Sequence, residues 1–344
     1  MIDLSFGSYS SLENIYQKKY PLPKPELKNY GYLKYFSELP KNIQNFMNKL
    51  IEEVTTYPID NSQFILNPSA LSMMFYILMA LPLKKKKIYI HKPTYVRLNN
   101  FCDFLNKSYP DQFILVDNPK EANVEYIIFP NNPDGKLIET KTVDNKNTFI
   151  IIDLVYLYPH FFLTKKNYQK AMTCIQNQIR KINSKNKDFI LIKNLTQMSS
   201  VAGYRISWAY VSNKAIIDRL QESVKISHGF SSITVNQFHQ QVSDIRWNAL
   251  FESFSKITKK RTKVFESLFE KISQKSKIKV ISLVPFICLY DPGLTLFNYF
   301  ITNEILVLLG SQMGIENEYI RIPVFMKNTE YQAVVNCLKS FLDN

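Results

Sequence analysis

Asp153, Tyr156, Asn132, Ser69 and Arg321 are the residues of this chain whose types and positions suit the binding and polarising of a small charged molecule. Asp153 sits near the end of the apolar run 148–154, and Tyr156 follows three residues later. Asn132 lies in P-N-N-P-D-G, directly after the apolar run 124–129 and about twenty residues before Asp153. Ser69 opens an apolar helix, where free backbone N–H groups and the helix dipole favour an anion. Arg321 stands inside the apolar stretch Y-I-R-I-P, where a charge without a partner is costly, which favours a function for it. Three of the five have a plainer alternative. An Asp at a strand end serves as a helix cap or turn residue, N-P-D-G is by itself a turn signal, and a Ser at a helix start is an N-cap.

The elements that must hold these residues alternate between strand and helix. Apolar runs predict strands at 63–66, 87–91, 113–116, 124–129, 148–154, 189–192 and 206–211. Helical periodicity predicts helices at 40–56, 70–81, 95–105, 168–181 and 213–226. The run 148–154 is apolar on both alternations, as expected of a parallel strand covered on both faces. The alternation from about 60 to 230 implies one large α/β domain with a mostly parallel sheet, the kind of sheet that binds ligands at its strand ends. A helical stretch at 234–274 carries the chain to a smaller α+β domain. Strands are expected there at 278–283, 285–290 and 319–323, and helices at 294–304 and 329–342. The expected division is 1–40 as an N-terminal arm joining the small domain, 41–235 as the large domain, and 236–344 as linking helix and small domain.

Composition removes several function classes. The chain has 344 residues and 46% apolar content, enough for two cored domains. The net charge of +14 accompanies abundant Lys, Asn, Ile, Tyr and Phe, and the dense run Lys84–Lys87 falls in a loop, so it reads as a solvated loop. No helix-turn-helix or zinc-finger spacing argues for nucleic acid. No apolar run reaches membrane-spanning length, and the start M-I-D-L-S-F-G lacks a basic n-region and signal core, so a cytoplasmic protein is expected. Cys102, Cys174, Cys288 and Cys337 show no C-x-x-C spacing, which suits a reducing compartment and argues against structural zinc. No G-x-S-x-G, Walker loop or H-E-x-x-H is present.

One stretch ties the candidates together: D-F-I-L-I-K-N-L-T-Q-M-S-S-V-A-G-Y-R-I-S-W-A-Y-V, residues 188–211. Its order of strand, polar turn, A-G-x-R and strand resembles the cofactor-lysine region of fold type I enzymes of pyridoxal 5′-phosphate (PLP). With R-I-x-W-A it resembles most the alliinase and plant tryptophan aminotransferase group. D-L-V-Y-L-Y-P-H resembles that group's D-x-x-Y-x-W-P-H, F-P-N-N-P-D-G its S-P-N-N-P-D-G, and Y-I-R-I-P its Y-V-R-L-S. The resemblance covers nearly the whole chain. It implies that Asp153 pairs with the pyridine nitrogen of PLP and that Tyr156 and Asn132 reach the ring hydroxylate. Tyr95 in K-P-T-Y would stack on the ring, with a core tyrosine as the alternative. Ser69, Thr196 and Arg205 would share the phosphate, although N-P-S-A keeps only the serine of the group's glycine-containing loop. Arg321 would clamp the carboxylate of an amino-acid-like substrate, and Gly7 in D-L-S-F-G would belong to the substrate-side arm. A homodimer is implied as well.

The resemblance departs at its most reactive position. The group carries a Ser-Lys pair eight residues ahead of the Arg, and counting back from Arg205 reaches Gln197, preceded by Thr196. Glutamine has no basic amine and can only hydrogen-bond. Losing that base alone lowers proton transfer by roughly 10²–10⁴-fold. Three readings stand. The first is a diverged enzyme using PLP non-covalently, or pyridoxamine phosphate, with Lys193 or His160 as replacement base. The second is a pseudoenzyme that binds a PLP–amino acid adduct, a small molecule or a protein partner. The third is a Lys→Gln variant of an ordinary enzyme.

Overall fold

A computed structural model describes residues 2–3, 32–33, 36–194, 206–226, 230–231, 235, 246–283 and 286–343. Gly7, Thr196, Gln197 and Arg205, and the N-terminal part of the helical stretch expected at 234–274, lie outside these described residues. The elements run β1 (Ile2–Asp3), β2 (Tyr32–Leu33), α1 (Lys41–Thr55), β3 (Phe64–Asn67), α2 (Ala70–Ala80), β4 (Lys86–Ile90), α3 (Val96–Ser108), β5 (Phe113–Leu115), β6 (Val124–Ile128) and β7 (Phe149–Asp153). They continue α4 (Lys165–Ser184), β8 (Phe189–Asn194), β9 (Ser207–Val211), α5 (Lys214–Ile226), β10 (Phe230–Ser231) and α6 (Arg246–Lys275). The remainder is β11 (Lys279–Ser282), β12 (Phe286–Tyr290), α7 (Thr295–Thr302), β13 (Ile305–Leu306), β14 (Leu308–Leu309), β15 (Tyr319–Pro323) and α8 (Asn328–Asp343).

The main sheet has seven strands in the order β3-β9-β8-β7-β6-β4-β5. The five strands from β8 through β5 are parallel, and β9 runs antiparallel to both β8 and β3. Every residue of β6, β7 and β8 is buried, which is why these strands read as continuous apolar runs rather than alternating ones. Helices pack over the sheet in pairs, α1 on α4 and α2 on α5. A second, four-stranded antiparallel sheet, β11-β12-β15-β14, is backed by α6, against which α8 packs, and faces the loop after β6. No helix among the described residues is long and apolar enough to cross a membrane.

Several boundaries differ from expectation for local reasons. Helix α4 starts three residues early because Thr164 accepts from the backbone N–H of Asn167 as an N-cap. Strand β8 runs two residues past its apolar part because Lys193 and Asn194 stay paired with Trp208 and Ser207 of β9. Helix α7 stops at Thr302, and the chain turns through Glu304 at φ 58° into β13, which pairs in parallel with β1. Residues 2 and 3 are thereby tied to the smaller part of the molecule.

Candidate active site

The ends of β6, β7 and β8 open into a pocket of about 180 Å³, walled by Ser69, Tyr95, Arg97, Tyr126, Asp153, Tyr156 and Asn194. Four of the residues singled out by sequence, Ser69, Tyr95, Asp153 and Tyr156, therefore share one cavity. Asn132 and Arg321 are not on its wall and connect to it through Tyr156.

Asp153 occupies the last position of β7, opposite Ile128 of β6 and Ile192 of β8. Its Oδ1 accepts from the Val155 backbone N–H at 3.0 Å, and its Oδ2 accepts from the Tyr126 hydroxyl at 2.8 Å. Burial pushes its carboxyl up to about 6, against the lowering effect of those two hydrogen bonds and of Lys193. The carboxyl therefore changes charge at mildly acidic pH while facing the cavity.

The turn after β7 presents Tyr156, whose ring packs edge-on against Phe161 and Phe286 at 5.3 and 5.5 Å. Its hydroxyl accepts from Asn132 Nδ2 at 3.0 Å, and burial holds the phenol above its usual range. Asn132 Oδ1 in turn accepts from the Arg321 guanidinium at 3.2 Å. That guanidinium lies 4.4 Å from the centre of the Phe286 ring, and burial lowers its pKa. An Arg321–Asn132–Tyr156 chain therefore links the smaller sheet to the pocket wall. The neighbouring Asn131 donates to Asp134 at 2.7 Å and to the carbonyl of Pro93 at 3.0 Å, which joins the P-N-N-P loop to the segment leading into Tyr95.

Ser69 caps the 11-residue helix α2, its hydroxyl accepting from the Leu71 N–H at 3.2 Å. Its own backbone N–H donates to Asn67 Oδ1 at 3.2 Å. The plain N-cap role is thus present, at a helix N-terminus that also faces the pocket. Tyr95 stands immediately before α3, half-buried at the cavity wall.

Lys193 and His160 are elsewhere. Side chains along a strand alternate between faces. Ile192 is in register with Asp153 and Asn194 reaches the pocket, so Lys193 projects from the opposite face. Its Nζ donates to the Leu157 carbonyl at 2.9 Å and lies 4.1 Å from the centre of the Tyr158 ring. Burial lowers its amine to about 7. His160 is fully buried among the rings of Tyr158, Phe161 and Phe254. As a replacement base within the cavity, neither is placed where the sequence reading required.

Three polar wall residues, Tyr126, Asn194 and Arg97, were not singled out from sequence. Tyr126 and Ile128 alternate on β6, a period-two pattern that marks one face. The pattern does not reveal that Tyr126 reaches Asp153, because that depends on the β6–β7 pairing. Asn194 ends β8, and its carbonyl accepts from the Tyr158 hydroxyl at 3.0 Å. Arg97 follows Tyr95 by two residues on the first turn of α3 and carried no signal.

Comparison with known proteins accords with this architecture. An aminotransferase from Staphylococcus aureus superposes with a TM-score of 0.72, over 100% of this chain and 94% of that one, at 16% identity. By sequence the chain is similar to tryptophan aminotransferase-related protein 4 of Arabidopsis thaliana, 22% identical over 241 residues, 64% of this chain and 47% of that protein. It is also similar to an L-serine phosphate decarboxylase of Campylobacter jejuni, 23% identical over 299 residues, 81% of this chain and 65% of that protein. The chain spans about half the length of the plant relatives it matches. The family model described as allinase matches residues 84–342, well over half of the sequence. With that match and this sheet order, the chain belongs to the alliinase family and has the fold of the fold type I PLP-dependent aminotransferases.

Proposed function

We propose that the pocket binds PLP, or pyridoxamine phosphate, together with an α-amino acid, in chemistry of the transamination or carbon–sulfur elimination type. The observation that carries this is Asp153, a buried carboxyl at the end of β7 that faces the cavity with its two oxygens already oriented by Val155 and Tyr126. A protonated pyridine nitrogen needs such an acceptor. The residues present fit the group: a carboxylate at the pocket base, a helix N-terminus at Ser69 for an anion, and the aromatic side chain of Tyr95 on the wall. When bound, PLP supplies an electron sink for charge developing at the α-carbon of the amino acid.

The remaining work falls to the chain's own residues. Asp153 holds the proton on the ring nitrogen. Tyr156, oriented by Asn132, offers a hydroxyl at the wall. Arg321, held by Asn132 against Phe286, is the cation this reading assigns to a substrate carboxylate, and its fork geometry suits bidentate pairing. Thr196 and Arg205 are assigned to the phosphate and Gly7 to the substrate side by the motifs around them. The same reading takes the protein as a cytoplasmic homodimer with its cofactor sites at the subunit interface.

A second reading is favoured by one observation. Among the described residues lining the pocket none is a lysine, and Lys193 points away; the motif count back from Arg205 assigns Gln197 to the cofactor-lysine position. On this reading the protein holds a PLP–amino acid adduct or another ligand without turnover.

The test is to add PLP to the purified protein, follow visible absorbance, reduce with borohydride and measure the mass. Saturable PLP binding that Asp153→Asn strongly weakens is the expected result. Absence of PLP binding by the native protein overturns the proposal. With PLP bound, conversion of an added amino acid selects the enzyme, and stable binding without conversion selects the pseudoenzyme.

A further inference from the structure

Asp153 is gripped from two directions, and only one of them comes from its own strand–turn segment. The Val155 N–H belongs to the turn that follows β7, a local contact any residue at that position provides. The Tyr126 hydroxyl comes from the neighbouring strand β6 and reaches Oδ2 at 2.8 Å across the sheet. Tyr126 is 3% exposed, and its phenol is held well above its ordinary pKa, chiefly by burial and then by the charge of Asp153, so it donates as a neutral hydroxyl throughout the working pH range. A phenylalanine at this position would fill the same space without the oxygen. The hydroxyl therefore needs a reason beyond packing.

We infer that Tyr126 is a positioning residue for Asp153: its hydroxyl fixes the carboxylate plane and favours the charged form that pairs with the cofactor's ring nitrogen. The inference rests on the proposal that PLP occupies the pocket. A hydrogen bond donated to a carboxylate stabilises the charged form over the neutral one. Burial acts the other way on Asp153 and is the larger influence. Tyr126 is thus a hydrogen-bonding counterweight to the burial that favours the neutral acid. Among the described residues, the other titratable groups facing this carboxyl are Lys193 of β8 behind the sheet and Tyr156 and Tyr158 of the turn after β7, with Cys102 of α3 beyond Tyr126. Arg97 and Tyr95 share the cavity wall. Of these groups, Tyr126 is the one whose side chain donates to the carboxylate.

The sign of the effect follows. PLP binding that needs the ionised carboxylate weakens as pH falls through the Asp153 pKa, about 6 in the native protein. Without the Tyr126 hydroxyl that pKa rises, so the weakening sets in at higher pH.

The experiment is calorimetric titration of PLP into native protein, Tyr126→Phe and Asp153→Asn between pH 5 and 9, with the thermal midpoint of each ligand-free protein measured alongside. The expected result for Tyr126→Phe is roughly 10-fold weaker PLP binding at pH 7, with the acid limb displaced to higher pH. Asp153→Asn should show weak binding with no such limb. A Tyr126→Phe protein with native PLP affinity and pH profile, whether or not its thermal midpoint falls, overturns the inference and assigns Tyr126 a purely structural contact. Absence of PLP binding by the native protein overturns the underlying proposal, and the inference falls with it.

Discussion

Lys193 donates to the carbonyl oxygen of Leu157 at 2.9 Å, on the face of the sheet opposite Asp153. The Tyr158 hydroxyl returns a bond to the carbonyl of Asn194, so the turn carrying Tyr156 is stitched to the end of β8 from both sides. Lys193 is thus a structural residue of the pocket's supporting turn, and its amine is spent on that turn.

The consequence is a pH-dependent stability that Lys193→Met should remove. The folded-state pKa is about 7 against an ordinary 10.5, because burial disfavours the charged amine. A lowered amine pKa means that the unfolded chain binds the proton more readily. This contribution is fully present above 10.5 and is lost as pH falls through 7. The native protein should therefore lose stability relative to Lys193→Met between about pH 10 and 7, by on the order of a few kcal/mol. Urea unfolding at pH 6.5, 8 and 9.5 checks this. Parallel curves for the two proteins would show that the amine is not desolvated. Any covalent PLP adduct should be unchanged in Lys193→Met.

Arg321→Lys should separate substrate binding from cofactor binding. The guanidinium reaches Asn132 at 3.2 Å while stacking on Phe286, a planar arrangement that an ammonium cannot reproduce. The expected outcome is amino-acid affinity reduced by roughly 10–100-fold, the scale of a lost charge-assisted bidentate contact. PLP affinity should change little, since Arg321 is not on the pocket wall. Calorimetry with PLP alone, then with an added amino acid, reads both. An unaltered amino-acid affinity would remove Arg321 from the carboxylate role.

Glu125 tests how the pocket-facing side of β6 is kept rigid. Its side chain lies on the other face of the strand from Tyr126 and accepts from His91 at 2.7 Å, from the Lys141 N–H at 2.8 Å, from the Thr142 hydroxyl at 2.7 Å and from the Thr140 hydroxyl. Burial pushes this carboxyl up, and the hydrogen bonds together outweigh it, leaving it below its ordinary 4.5. A depressed carboxyl pKa gives stability that is present above about 4.5 and lost as pH falls through the folded value. Glu125→Gln leaves donors facing donors and should cost roughly 3 kcal/mol at pH 7. The deficit should shrink toward pH 3.5. Chemical unfolding at those two pH values measures it, and a deficit independent of pH would show that the loss is one of packing.

The parts of this site written locally in the chain were legible before the fold was known. Asp153 and Tyr156 share one turn, and P-N-N-P-D-G is contiguous, so a motif captures each. Arg321 was legible as an anomaly, a charge inside an apolar strand. What the sequence did not reveal depends on pairing between strands. Tyr126 meets Asp153 only because Ile128 and Asp153 are in register, and Lys193 turns away only because Ile192 is. Both follow from period-two alternation once the register is known, and neither follows without it. Strands β1 and β13 are two residues each and pair across three hundred positions, too short to show any periodicity. The start of α4 was missed because its cap, Thr164, precedes a run of lysines rather than an apolar face.

Gln197→Lys asks whether the cofactor-lysine position was placed correctly. Asn194, three residues earlier, closes β8 at the pocket wall beside Asp153, so the chain leaves the sheet at the cavity. A lysine introduced at 197 should then react with the PLP aldehyde, forming a carbon–nitrogen bond with loss of water. Borohydride reduction makes the bond permanent and leaves a mass increase on the peptide containing residue 197. Gln197→Met serves as the control, able to fill the space and unable to react. The native protein and the Met variant should bind PLP without a modification at this residue. Modification of the Lys variant elsewhere, with native-like folding and PLP affinity, would move the register of this turn and reassign Thr196 along with it.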